Sequence, residues 1–413
     1  MAFIKPFRGV RPRRDLAEKV AALPYDVMNV EEARGMAAGN PFSFLHVSRP
    51  EIDLADDVDP HDEQVYRRGQ ENLARFLRDG ILVQDAEECY YVYRQRMGAL
   101  EQTGLVVCAG VDDYQSGVIK KHELTRADKE EDRVKHIDYL NANDEPVFYT
   151  YRHDPAIGAL MAEFVTADPD YDFTSDDGVH HTLWVVRDRE KIDRLTSLFA
   201  AIDTLYVADG HHRSAAASRV RELRREANPS HTGQEEYNYF LTVIFPDNEM
   251  HIMPYNRVVK ELNGPEVAEF ILAVSKRFEL TPVNAAVTPD ERHVFGMYLS
   301  GRWYEMRPKE GSFPEGDAVA GLDVSILQDN LLSPVLGIRN PRTDQRIHFV
   351  GGIRGVAELE RLVDSGEYEV AFSLHPTAIE ELMVLADAGK IMPPKSTWFE
   401  PKLRSGLFLH LLE

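Results

Sequence analysis

The chain has 413 residues, 43% hydrophobic and 28% charged, with 26 Gly and 23 Pro, a composition that excludes disordered, collagen-like and fibrous classes. Its 69 acidic residues outnumber 47 basic ones and leave a formal charge of −22. Bulk electrostatics therefore oppose a polyanionic partner, and nucleic acid is expected to bind only through a local patch, if at all. No apolar run approaches the ~18 residues of a membrane helix. Met1 to Arg14 carries Lys5, Arg8, Arg11, Arg13 and Arg14 with no apolar stretch after them, so no secretory signal is expected. Cys89 and Cys108 are too few for a disulfide framework and lack C-x-x-C spacing, which fits a reducing cytoplasm.

In chain order, Asn29 with Glu32 three residues on forms a capping-box pattern that predicts a short helix ended by Gly39-Asn40-Pro41. A second helix is expected over about Gln64 to Arg78, closed by Asp79-Gly80. The β-rich stretches Tyr90 to Met97 and Leu105 to Tyr114 read as a hairpin, and residues 1–115 are expected to form an α/β unit. Lys120 to Asn143 is heavily charged and predicts a solvated helix before the strand-like Pro146 to Tyr151. Thr204 to Ala208 reads as a strand, Asp209-Gly210 as a turn, and HHRSAAASRVRELRRE as a helix. Strands at Tyr239 to Phe245 and His251 to Tyr255 follow, then a helix from Pro265 to Phe278 and a hairpin at Ser300-Gly301. The tail predicts a helix from Asp323 to Leu332 and another opened by a Thr377/Glu380 capping box and closed at Gly389. Domain boundaries are expected near 115 and 260, giving segments 1–115, 116–260 and 261–413.

Three segments carry candidate chemistry. At Asp209-Gly210-His211-His212-Arg213 a strand runs through a turn into a helix, which places unpaired N–H groups and the positive dipole end at one point. Glycine permits close approach of a phosphate, Arg213 offers a bidentate fork, and the two His side chains offer donors or a proton relay. The competing structural reading makes Asp209 a helix cap and the rest surface. Adjacent His residues diverge by about 100° on a helix, which argues against a mononuclear metal site. The second segment is His122-Glu123 with Thr125, Lys129, Asp132 and Arg133, for which a salt-bridged solvated helix is the plain alternative. The third is Met392-Pro393-Pro394-Lys395-Ser396-Thr397, followed by Glu400, Pro401, Lys402 and Arg404. There two prolines leave a rigid loop offering an ammonium and two hydroxyls to a phosphate, or merely an ordinary basic loop.

Taken together, Gly210, Arg213 and Ala216 within ADGHHR resemble the phosphate-binding motif of the ParB/sulfiredoxin superfamily. In order, KKHEL, VADGHHR and GKIMPPKST resemble the free L-serine kinases, which use ADP as donor. Over most of its length the chain also resembles a larger bacterial family, domain of unknown function 1015, through LPYDV, NPFSFLHVSRPE, HELTRADKEEDR, LDVSILQ and MPPKSTWFEPKLRSGL. The resemblance implies a mixed α/β (α+β) fold. Its ParB/sulfiredoxin-like nucleotide-binding core would lie within 116–260, with an additional N-terminal unit and a C-terminal α/β segment closing the site.

The kinase resemblance implies an enzyme that transfers a phosphoryl group from ADP or ATP to the hydroxyl of a small metabolite, serine first, with Mg²⁺ offsetting the donor charge. It implies that Glu123 is the general base, with His122 and Asp209 beside it in the catalytic set. Gly210, His211, His212 and Arg213 would bind the donor phosphates, and Lys395, Ser396 and Thr397 would close the site. Asp132 and Asp209 are the nearest rivals for the base. The separation of the HE and DGHHR motifs exceeds the compact kinase pattern, so the acceptor is left open, as are the donor nucleotide and homo-oligomerisation. The alternative is a ParB-like nucleotide-binding (CTP or ATP) regulator without kinase activity. It is opposed by the acidic charge and by the absence of a basic helix-turn-helix after Glu226. A sulfiredoxin-like activity would need a Cys where His211-His212 stands.

Overall fold

A computed structural model describes residues 1–264 and 266–413. The chain divides into two compact units, the first made of 1–250 with 401–413 and the second of 251–400. The expected mixed α/β class holds in both.

The first unit is built on a nine-stranded sheet: β1 (Ile4–Lys5), β2 (Tyr90–Met97), β3 (Leu100–Gly110), β4 (Ile119–Lys120), β5 (Val147–Tyr151), β6 (Tyr171–Thr174), β7 (His180–Val186), β8 (Leu205–Asp209) and β9 (Tyr239–Pro246). Their order is β4-β8-β5-β9-β3-β2-β7-β6, with β1 against β3. Because β2 and β3 share this sheet with β5, β8 and β9, the boundary expected near 115 separates nothing. The pairs β4–β8 and β5–β9 are parallel and the others antiparallel. β5 is apolar or aromatic at four of five positions and buried throughout, as a central strand covered on both faces requires. One core gathers Val92, Val107, Tyr149, Val207 and Phe240 with Leu160 and Leu195 of flanking helices.

The capping box at Asn29 and Glu32 forms as expected and opens Val30–Ala37. The second helix runs Glu63–Arg78. The hairpin also forms, but residues Val111–Ser116 are a helix rather than strand, where Gly110 releases the chain. The charged segment becomes the helix Ala127–Leu140, and here the expectation of a solvated helix is corrected. Asp132, Arg133, Val134, His136, Ile137 and Leu140 are all buried, because charges that pair internally can pack against neighbouring helices.

The second unit holds a six-stranded, wholly antiparallel sheet: β10 (Tyr255–Val259), β11 (Phe278–Val283), β12 (Phe295–Leu299), β13 (Arg302–Pro308), β14 (Ile347–Gly351) and β15 (Val370–Leu374), in the order β11-β13-β12-β15-β10-β14. The strand expected over His251 to Tyr255 is instead a two-residue piece, Ile252–Met253, followed by β10. The helix expected from Pro265 is Val267–Val274; Pro265 lies outside the described residues. Ser300-Gly301 makes the expected turn. The last helix, Ile379–Asp387, is not capped by Thr377. Glu381 accepts the Ala378 N–H at 2.9 Å, while the Thr377 hydroxyl donates to the Ser396 carbonyl at 2.9 Å.

Candidate functional site

The strand β8 ends at Asp209, and its pairing with β5 slips between Val207 and Asp209. That irregularity redirects the strand end. Gly210 follows at φ 93°, ψ 32° and stands at the N-cap of the helix His211–Ala227 with no side chain capping it. A Cβ at Gly210 would lie 3.1 Å from the Arg213 guanidinium as well as requiring the left-handed backbone, so glycine is needed twice over. The first N–H groups of this 17-residue helix thus face the site with the positive end of the dipole behind them.

Asp209 is held from three sides. Its Oδ1 accepts the Gly210 N–H at 2.7 Å, its Oδ2 accepts from Lys402 Nζ at 3.0 Å, and Arg213 lies 3.9 Å away. Burial pushes this carboxyl up, but Lys402, Arg213 and the Gly210 N–H outweigh it and keep it well below the usual carboxylate range. Asp209 is therefore an ionised anchor for cations at the site.

His122 and His211 are both buried and meet edge to face, ring centroids 4.4 Å apart. Burial depresses the imidazole of His122 to about 4, against the opposing pull of Asp209 and of a backbone hydrogen bond to Val207. Burial and then the neighbouring His122 hold His211 well below the ordinary histidine value. Both rings are neutral near pH 7, and His122 Nδ1 and His211 Nε2 are buried without a hydrogen-bond partner. Glu123 is half-buried in the loop between β4 and the helix Ala127–Leu140, directly after His122. His212 Nε2 accepts the Arg126 N–H at 3.0 Å, which ties the start of one helix to the loop before the other.

Arg213 points inward. It donates to the Pro146 carbonyl, and burial, opposed by Asp26, Asp209 and Glu145, leaves its guanidinium above the usual value. Around it lie Glu145, whose Oε1 accepts from the Tyr25 N–H at 3.1 Å and the Ser405 hydroxyl at 2.7 Å, and Arg133, stacked 4.0 Å over the Tyr25 ring. Asp132 accepts from Arg133 at 2.7 Å and from Tyr66 at 2.9 Å, and contacts His61 Nδ1 at 3.0 Å. Burial opposes its ionisation, yet Arg133 and these hydrogen bonds hold its carboxyl well below the usual range. Asp132 is thus committed to structure.

The first unit therefore brings together His122, Asp209, Gly210, His211, His212 and Arg213. Lys395, Ser396 and Thr397 belong to the second unit. There Lys395 is exposed at φ 57°, Ser396 Oγ donates to the Pro393 carbonyl at 2.7 Å, and Thr397 is half-buried. Glu145 and Tyr25 lie outside the three candidate segments, and Lys402 stands in the third without an expected role of its own. The only signals were that Lys402 stands in the basic loop already marked and that Tyr25 lies within LPYDV. Among the described residues no three His, Cys, Asp or Glu side chains are grouped to hold a metal, and no helix is long and apolar enough to cross a membrane.

Fold and site define a mixed α/β protein in which a polarised helix N-terminus meets an ionised Asp–Lys pair and two buried imidazoles. Residues 4–325 match the family described as protein of unknown function, DUF1015, and the chain belongs to it. No curated protein matches the chain. Among solved structures it is similar to a free serine kinase in complex with AMP, at 13% identity and a TM-score of 0.36, over 72% of this chain and 86% of that one. It is also similar to SbnI with C-terminal truncation from Staphylococcus aureus, at 11% identity and 0.39, over 74% and 87%. A conserved hypothetical protein from Pyrococcus furiosus gives 14% and 0.35, over 75% and 95%.

Proposed function

We propose that the first unit is a nucleotide-dependent phosphotransferase that moves a phosphoryl group from ADP or ATP to the hydroxyl of a small metabolite, serine being the first candidate. The observation that supports it most is the open N-terminus of the helix His211–Ala227, reached through a left-handed glycine and flanked by Lys402. Backbone N–H groups and an ammonium there suit the donor phosphates. Loose phosphoryl transfer asks the protein mainly for position and cationic stabilisation.

In this reading Glu123 takes the proton from the acceptor hydroxyl, the neutral His122 beside it keeps that end of the site dry, and Asp209 orients Lys402. Arg213, turned to Pro146, braces Gly210 instead of gripping the phosphate. Mg²⁺ would arrive as an ion carried by the donor, keeping several waters, and would offset phosphate charge; among the described residues no three His, Cys, Asp or Glu side chains are grouped to hold it alone.

Phosphotransfer from ADP, ATP and CTP to a panel of hydroxylated metabolites, read by mass spectrometry, tests the reading. Glu123→Gln is expected to leave nucleotide affinity by calorimetry nearly intact and to lower turnover by ~10²–10⁴. Nucleotide binding without transfer to any acceptor would instead favour the ParB-like regulator.

A further inference from the structure

Five arginines are buried among the described residues: Arg133, Arg213, Arg221, Arg257 and Arg404. Four of them face a carboxylate: Asp132 at 2.7 Å, Asp209 at 3.9 Å, Asp112 at 2.7 Å and Asp177 at 2.5 Å. Arg257, in β10 of the second unit and 3% exposed, has none. Its contacts are one hydrogen bond from Nη2 to the Lys395 carbonyl at 3.0 Å and the Phe349 ring, 5.3 Å from the guanidinium carbon. Its Nη1 is buried with no partner. Burial pushes the guanidinium down to about 10, with only Tyr255 opposing. A second cation stands next to it: Lys395 Nζ lies 5.4 Å over the Tyr255 ring.

A buried charge without a counterion is among the costliest arrangements a fold can hold, and it persists where something else supplies the opposite charge. The fork geometry of a guanidinium matches a planar or tetrahedral oxyanion. We propose that Arg257 and the Lys395–Thr397 loop form an oxyanion site in the second unit, which takes the carboxylate or phosphate group of a small ligand. Arg257 Nη1 supplies the buried donor, and Lys395 together with the Thr397 hydroxyl supplies the outer contacts. Tyr255, whose ring lies 5.8 Å from that of Phe349 and 5.1 Å from that of Trp398, forms the apolar wall with them. The site stands whether or not the first unit transfers phosphate.

The test is thermal unfolding of the full chain titrated with sodium phosphate and with sodium malonate at constant ionic strength, sodium chloride serving as blank. A saturable rise in Tm of several degrees is expected with one or both probes, since an anion that binds only the folded state stabilises it by mass action. Phosphate alone or malonate alone assigns the ligand group. Arg257→Met is expected to remove the part of the rise that persists in Lys402→Met, while leaving the anion-free Tm equal or higher, because it removes an uncompensated charge. Arg257→Lys is expected to weaken the apparent affinity at least tenfold. Lys402→Met, at the candidate site of the first unit, should retain the response; a rise that disappears there but survives in Arg257→Met overturns the proposal. Wild-type crystals soaked in sodium selenate provide a readout independent of any variant's folding. An anomalous peak against Arg257 supports the site, and its absence from a soak that labels other positions overturns it.

Discussion

Two buried imidazoles packed edge to face behave unlike surface histidines. His122, depressed to about 4 by burial, and His211, depressed by burial and by its neighbour, bind protons more weakly in the folded chain than in the unfolded one. His181 is held down in the same way, first by burial and then by Arg404. The sign follows from linkage: above about pH 6.5 both states carry neutral rings and stability is complete. As pH falls toward 4 the unfolded chain takes up protons that the folded chain refuses, and stability is lost. His122→Gln should remove one such site. Urea unfolding at pH 7 and pH 4.5 is expected to show an acid loss smaller by about 2–3 kcal/mol in the variant than in the wild type. An equal loss would mean that His122 is hydrated and titrates normally.

At the scale of elements, the helix Ala127–Leu140 shows how a charge-rich sequence can be interior. Its Asp132–Arg133 pair is buried against Tyr25, Tyr66 and His61, and removing one member leaves the other uncompensated. Asp132→Asn is therefore expected to cost about 3–5 kcal/mol in urea unfolding, far more than an exposed helical ion pair such as Arg67–Glu63, worth ~0.3–0.5 kcal/mol. Asp132→Asn combined with Arg133→Met should recover part of that loss. The capping box at Asn29 and the glycine turn at 210 were legible because their causes lie within four residues of sequence. The burial of Asp132 was not, because its partners lie as many as 71 residues away.

At the scale of the molecule, the first unit is closed by a returning tail. Residues 401–413 exchange paired backbone hydrogen bonds with the N-terminal segment: Ser405 with Ala22 at 2.9 and 3.1 Å, and Leu409 with Val10 at 2.9 Å in both directions. Gln95 and Gln102, both fully buried, donate to the Lys402 and Pro401 carbonyls at 2.7 and 3.3 Å, and Arg404 Nε donates to His181 Nε2 at 3.1 Å. Leu403, Leu407, Phe408, Leu409 and Leu412 are buried with them. Ending the chain after Glu400 is thus expected to expose five apolar anchors, at ~1.5–3 kcal/mol each as an upper bound, and to unfold the first unit. The second unit, with its own sheet and core around Val258, Trp303 and Leu359, should persist. Circular dichroism and amide exchange would show loss confined to protons of residues 1–250; a truncated chain that keeps those protons protected would show that the tail is dispensable.

What the sequence determined by itself is local: the helix and strand periods, the capping box, the strand–turn–helix at Asp209-Gly210, and the mixed α/β class, each set by propensity and hydrogen bonding among near neighbours. Only the tertiary structure decided that residues before and after position 115 share one sheet, that Arg213 faces Pro146, and that Lys402 meets Asp209 across 193 residues of chain. It also decided that, among the described residues, Arg257 is the buried arginine without an acidic partner. Pairings of that kind depend on which distant segments bury the same surface, and the spacing of residue types along a chain does not encode it.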